Sequence, residues 1–137
     1  MIVARISEAD IEKWRDDARR SGLIFCIRTE LYGAFEDDML VGFMGILFGA
    51  GRSTHAIFKS IYIPPENRGR GYFKAMLRYC IVTAVTRGVT KAEANCTPMS
   101  VRGFLEVGFL ETKRYKNGIT KVRHENLAEA KLHGGRP

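Results

Sequence analysis

The chain has 137 residues, of which 45% are hydrophobic and 27% charged, and a formal net charge of +7. That length holds one domain with a single core, not two, and the composition is that of an ordinary globular protein. The longest uncharged apolar run, Met39–Ala50, is 12 residues, against the ~20 that a membrane-spanning helix needs, so no membrane partner is expected.

Ile2–Ile6 reads as a short opening strand. Ser7-Glu8-Ala9-Asp10 resembles a capping box with Asp in place of the usual Glu. Ile11, Trp14 and Ala18 then recur at helical spacing until Gly22 closes the segment. Leu23–Glu30 suits either a strand or a short helix. Leu31–Phe35 and Met39–Phe48 flank the acidic turn Glu36-Asp37-Asp38 and predict a hairpin. Gly51-Arg52-Ser53 turns the chain into a further strand, His55–Ile63.

Arg68-Gly69-Arg70-Gly71 follows that strand and precedes a helical pattern over Tyr72–Arg87. A strand, a glycine-rich turn and a helix start in succession leave backbone N–H groups unpaired and pointing outward. The helix dipole adds positive potential, and two arginines flank the turn, so a phosphate or diphosphate is the expected ligand. The turn lacks the lysine and Ser/Thr of a Walker A loop, which disfavours nucleotide hydrolysis. Phe73, Met76, Leu77, Cys80 and Ala84 form one apolar stripe on the helix, away from Lys74, Arg78 and Arg87.

Gly88 ends this helix, and Lys91–Cys96 reads as a short strand. Thr97-Pro98 suggests an N-cap with proline at the first helical position. The helix it opens runs to about Val107, with Gly108 as its stop. Phe109–Tyr115 and Ile119–Arg123 flank Lys116-Asn117-Gly118, a strong hairpin signal. Asn126–Pro137 has little to bury and reads as a flexible basic tail, leaving residues 1–125 as the single domain. The expected architecture is α/β, in layers. A three-stranded meander before the phosphate turn argues against a Rossmann unit.

Three cysteines (Cys26, Cys80, Cys96) without C-x-x-C spacing fit reduced thiols in the cytoplasm, and Arg5, Glu8 and Asp10 exclude a secretory signal. The scattered His55, His124 and His133 predict no metal site. Charge is uneven: residues 1–50 hold 6 Lys/Arg against 9 Asp/Glu, net −3, whereas residues 51–137 hold 16 against 6, net +10. The glycine turn therefore lies in an anion-attracting half. That field suits a phosphorylated cofactor, an acidic or nucleic-acid acceptor, or simply a solvated basic surface.

With this element order, Ile61–Phe73 resembles strand 4 and the R/Q-x-x-G-x-G/A loop of the GNAT superfamily of acyl-CoA-dependent N-acyltransferases. Ser100–Phe109 resembles the family's helix-to-strand segment that often ends in YEKLGF. The likeness covers roughly residues 1–125 and is similar in size and charge to compact members from phage genomes. It implies a central mixed, mostly antiparallel sheet of six to seven strands flanked by helices, with strands 4 and 5 splayed. It implies acetyl-CoA as the acyl donor and transfer to a primary amine by direct attack in a ternary complex. Arg68, Gly69, Arg70, Gly71, Tyr72, Phe73 and Lys74 would bind the CoA diphosphate. Ile61, Tyr62 and Ile63 would pair with the pantetheine arm. Homodimers are frequent in the family.

Some positions depart from the family pattern. Phe73 ends the loop motif in place of Gly or Ala. Phe104 stands where many relatives carry a tyrosine that protonates the leaving thiolate, and is expected as a packing or CoA-contact group. Lys59 and Ser60 stand where relatives often carry a glutamate base, and Thr97 where an asparagine is common. Proton removal then falls to His55, Ser60, Glu93 or Asn95 through water, without ranking. Cys96 suits an acyl relay or a small core residue. The acceptor is a small free amine, a protein amine, or an amine borne on nucleic acid. The missing tyrosine and glutamate leave a second possibility, a catalytically silent CoA-binding or nucleic-acid-binding module on the same fold.

Overall fold

The computed structural model describes residues 1–20, 23, 28–49 and 54–132. Expectations for Gly22, Cys26, the turn Gly51-Arg52-Ser53 and His133 lie outside these residues, as does half of Leu23–Glu30.

Seven strands form one sheet in the order β1-β2-β3-β4-β5-β7-β6. They are β1 (Ile2–Ile6), β2 (Glu30–Glu36), β3 (Met39–Phe48), β4 (His55–Tyr62), β5 (Lys91–Cys96), β6 (Leu110–Arg114) and β7 (Thr120–His124). Every neighbouring pair is antiparallel except β4–β5, which is parallel and joined by the crossover helix α2 (Tyr72–Thr86). A 3₁₀ segment, Glu8–Trp14, leads into α1 (Arg15–Arg20), and α3 (Val101–Glu106) connects β5 to β6.

The capping box is present: Asp10 Oδ2 accepts the Ser7 backbone N–H at 2.8 Å. The acidic hairpin works because Asp37 and Asp38 both take positive φ, 50° and 66°, the geometry of the tight turns that match strand twist. In the β6–β7 hairpin Gly118 takes φ 88°, and the Asn117 side chain accepts the Ile119 N–H at 3.0 Å.

Alternation along the strands splits the core into two layers. Met44, Ile46, Ala56 and Phe58 face α2 and α3, packing with Met76, Leu77, Ile81, Phe104 and Phe109. Leu31, Phe43 and Tyr62 face the other side, against Ile11, Ala18 and Trp14. Each fully buried large side chain contributes about 1.5–3 kcal/mol through its removal from water.

Two expectations need correction. The helix cap lies at Ser100, not Thr97. Pro98 disfavours a helical Thr97, and residues 97–100 first make a turn in which the Ser100 and Val101 N–H groups both donate to the Thr97 carbonyl at 3.1 Å. The segment after residue 125 is also not wholly unburied. Leu127 is 1% exposed, its N–H donates to the Thr90 carbonyl at 2.7 Å, and the Lys131 N–H donates to the Val107 carbonyl at 2.9 Å. Leu127 anchors the stretch to the core with Ala130 and Leu132 packed beside it, a spacing with no clear helical or strand period.

Candidate active site

The site begins with a bulge in β4. Phe43 pairs with Tyr62 and Gly45 with Lys59, so Ser60 and Ile61 together oppose Met44 alone. Ser60 takes φ 57°, a left-handed conformation that costs a non-glycine residue about 1–2 kcal/mol. Such an insertion bends and twists the strand that carries it. The parallel ladder to β5 runs only from His55↔Lys91 to Phe58↔Ala94. Beyond it β4 continues through Lys59–Tyr62 and β5 through Asn95 and Cys96 without pairing to each other.

A cavity of about 1160 Å³ opens where the pairing stops. Its walls come from the second half of β4, the glycine turn, the first residues of α2, the Thr97–Val107 stretch and the β6–β7 hairpin.

The chain between β4 and α2 is held by side-chain bonds to neighbouring backbone. Asn67 Nδ2 donates to the Val41 carbonyl at 3.1 Å and Arg68 Nε to the Ile63 carbonyl at 2.9 Å. Gly42 lets the end of β4 approach, since a Cβ there would meet Ile63 Cγ1 at 3.0 Å. Gly69 and Gly71 have φ 75° and 83°, values that suit glycine. No side chain caps α2, and Gly71 is its N-cap. The first-turn amides of this 15-residue helix therefore face the cavity end lined by Arg68 and Lys74. Their dipole and charge suit a bound diphosphate. With nothing within 4 Å of a Cβ built on Gly71, its requirement for glycine is conformational.

Most of the residues expected at the site line this cavity. Ile61, Tyr62, Ile63, Arg68, Gly69, Gly71, Tyr72, Phe73 and Lys74 all do. Burial, with the nearby Asp17 charge, raises the Tyr62 pKa, keeping a neutral hydroxyl at the cavity wall. Arg70 is exposed and not a wall residue. Phe104 also stands apart. It is 0% exposed, with its ring 5.1 Å from Phe109, 5.7 Å from Phe73 and 6.3 Å from Phe58. A phenyl ring drawn into an apolar cluster is a core residue, the packing role among the two expected for it.

The four proton-handling positions separate. Ser60 and Asn95 line the cavity, and His55 and Glu93 do not. His55 opens β4, five residues before the bulge, and its Nε2 lies 3.8 Å from Glu93 Oε1. Glu93 also meets Lys121 Nζ at 3.4 Å. These two belong to an ion cluster on the paired part of the sheet. Cys96 is 1% exposed, and burial pushes its thiol pKa up to about 11, against a lowering hydrogen bond with Ser100. A thiol held protonated is a poor acyl relay, and Cys96 is a core residue.

Tyr115, Asn117 and Ile119 also line the cavity, which sequence reasoning does not anticipate. The Asn-Gly turn announces a hairpin without saying where it folds. The β5–β7 register does so: Cys96 opposes Thr120, which brings the hairpin tip over the end of β5. Asn67, Arg102 and Glu106 join the walls in the same unannounced way. Among the described residues, no three His, Cys, Asp or Glu side chains gather as a metal site would require. No helix among them is long and apolar enough to cross a membrane.

The fold has many solved counterparts. An IAA acetyltransferase from Bacillus cereus superposes with a TM-score of 0.71 at 18% identity, over 90% of this chain and 98% of that one. A spermidine N-acetyltransferase from Vibrio cholerae, crystallised with CoA and spermine, gives 0.73 at 13% identity over 93% and 96%. The ribosomal-protein-S18-alanine N-acetyltransferase from Escherichia coli gives 0.66 at 14% over 89% and 90%. Identities this low establish the shared fold alone. No curated protein matches the sequence. The Acetyltransferase (GNAT) family model, however, matches residues 3–109. Because that model spans more than half of the chain, the chain belongs to the GNAT acetyltransferase family.

Proposed function

We propose that this acetyltransferase joins acetyl-CoA and a primary amine in the gap where β4 and β5 cease to pair. One observation carries the reading: the glycine turn at the head of α2 and the opening made by the Ser60 bulge belong to the same cavity. The uncapped amides after Gly71, with Arg68 and Lys74, are suited to hold the diphosphate. The stretch Ile61–Ile63 turns unpaired backbone toward β5 and can bond the amide-bearing arm as an added strand would.

When bound, acetyl-CoA supplies a thioester carbonyl that a free amine attacks, forming a C–N bond as the C–S bond breaks. The chain's residues then have protons to manage. An acceptor ammonium loses two in becoming an amide; one goes to the leaving thiolate and the other to solvent. Ser60 and Asn95 are polar candidates beside the gap that can relay them through water, and the carboxylate among the described wall residues, Glu106, is paired with Arg102. A backbone N–H at Ile61 or Tyr62 suits the thioester carbonyl oxygen, where a fixed donor favours developing negative charge. The net +10 of residues 51–137 also fits an amine carried on nucleic acid.

A second reading, CoA binding without turnover, draws support from Phe104, whose buried ring donates no proton. Free-thiol release from acetyl-CoA, measured with amines, peptides and aminated DNA, separates the two. Thiol release above background with one acceptor class supports transfer. CoA binding without thiol release from any of them would leave a binding module.

A further inference from the structure

Resting on the transfer reading above, we propose that the acceptor is a primary amine on an uncharged apolar body, an alkylamine or arylalkylamine whose chain lies on Leu47 and Ile57. The two faces of the sheet reach the gap separately. Met44, Ile46, Phe58 and α2 share one face, and the glycine turn stands at the head of α2, so the cofactor enters the gap from that side. The amine then comes from the other. Leu47 lies between Ile46 and Phe48, and Ile57 between Ala56 and Phe58, and these four neighbours belong to the α2-side core or pack against it. Alternation therefore turns Leu47 and Ile57 to the opposite face, where they oppose one another in the β3–β4 ladder. Both line the cavity, as does Leu23. Both are half-buried, and neither belongs to either core layer formed by the described residues. Two aliphatic side chains not used by that core thus face the cavity.

The charges around this wall are matched. Among the described residues, the charged wall residues are Lys59, Arg68, Lys74, Arg102 and Glu106. Arg68 and Lys74 stand where a diphosphate would neutralise them, and Arg102 pairs with Glu106 at 3.2 Å. Lys59 has an interaction within the chain. Asp17, whose charge acts on Tyr62, pairs with Arg20. Farther along the same face Lys121 pairs with Glu93 at 3.4 Å and Arg123 with Glu125 at 2.8 Å. Such a wall offers no partner to a second ammonium or to a carboxylate on the acceptor, and removing water from either costs binding. An alkyl chain gains from the same contact. Ile57 lies three residues before Ser60, roughly 10 Å along the strand at ~3.3 Å per residue. A hexyl or phenethyl chain covers that span with its amino end beside Ser60 and Asn95.

The test compares ethylamine, n-butylamine, n-hexylamine and phenethylamine with hexamethylenediamine and ε-aminocaproate, which match n-hexylamine in length but end in a second charge. Each is titrated calorimetrically into the CoA-bound protein and assayed for thiol release from acetyl-CoA. Affinity should rise about three- to fourfold per methylene along the alkyl series. The two charged-ended amines should bind at least about tenfold more weakly than n-hexylamine. Leu47→Ser and Ile57→Ser should flatten the series, and Leu47→Lys should shift the preference to ε-aminocaproate, all three keeping CoA-induced thermal stabilisation. Binding that climbs with chain length without thiol release from any amine would support the apolar acceptor end and overturn the transfer reading. Thiol release led by a charged-ended amine or by aminated DNA would keep the transfer reading and overturn the inference. Affinity independent of chain length, binding of none of these amines, or a series unchanged in all three variants would overturn it as well.

Discussion

The Phe73 ring occupies the space above Gly103, where an added Cβ would come within 2.4 Å of Phe73 Cε2. Phe73 is the position at which the glycine-turn motif departs from a small residue, and Gly103 makes room for that departure on the facing helix α3. The pair ties the first turn of α2 to α3, with Phe104 next in line at 5.7 Å. The two substitutions should therefore be coupled. Gly103→Ala alone should lower stability by about 1–3 kcal/mol through overpacking. In a Phe73→Ala background the same change should be neutral, or stabilising by up to about 1 kcal/mol, because alanine is the better helix former. Denaturant titration of the four proteins measures this, and additive effects would break the link.

Restoring a tyrosine at position 104 should not restore a general acid. The ring is fully buried among Phe58, Phe73 and Phe109, and a hydroxyl placed there without a partner costs about 1–3 kcal/mol. Phe104→Tyr should lower the melting temperature and leave the thiol-release rate unchanged. A rate increase at unchanged stability would mean that the hydroxyl reaches the cavity.

His55 and Ser60 give opposite expectations although both suit proton transfer on sequence grounds. His55→Ala should leave kcat within about twofold of the parent, since a group outside the cavity has no hydrogen-bond reach to the reacting atoms. Ser60→Ala should lower kcat, through loss of the hydroxyl beside the gap. Steady-state thiol release distinguishes them, and a large loss in His55→Ala would return the ion cluster to the catalytic site.

Stability should depend on His124. Burial lowers its pKa from the ordinary 6.5, with the Glu129 and Glu125 charges opposing. Its Nδ1 accepts the Asn126 N–H at 3.2 Å, a bond only an unprotonated nitrogen makes. Since the folded pKa lies below the unfolded one, the unfolded state binds more protons between them. The contribution is present above about pH 6.5 and is lost as pH falls through the depressed folded value. Melting temperature measured across this range should fall more steeply toward acid for the parent than for His124→Asn. Parallel curves would contradict the assignment.

How much the sequence disclosed varied with the range of the forces involved. Strands and turns set by local chemistry were readable: Met39–Phe48 and Lys91–Cys96 coincide with β3 and β5, and the Asn-Gly hairpin forms as its residues require. The glycine turn was readable because positive φ, an uncapped helix and flanking arginines are all local. Long-range packing was not. Which of Ser60, Asn95, His55 and Glu93 face the cavity depends on a bulge and on where the β4–β5 ladder stops, and neither leaves a mark in residue spacing. Tyr115 and Asn117 reach the cavity through the β5–β7 register. The anchoring of the segment after residue 125 rests on Leu127, Ala130, Leu132 and two long-range backbone bonds, none of which shows as a period in the sequence.

The central claim is that main-chain amides at the head of α2 hold the CoA diphosphate. Amide chemical shifts followed by NMR while CoA is titrated into the protein test it directly. The largest changes should fall on Gly69–Lys74, followed by Ile61–Ile63. Unchanged amides at Gly69–Lys74, with the perturbation located elsewhere on the sheet, would contradict it.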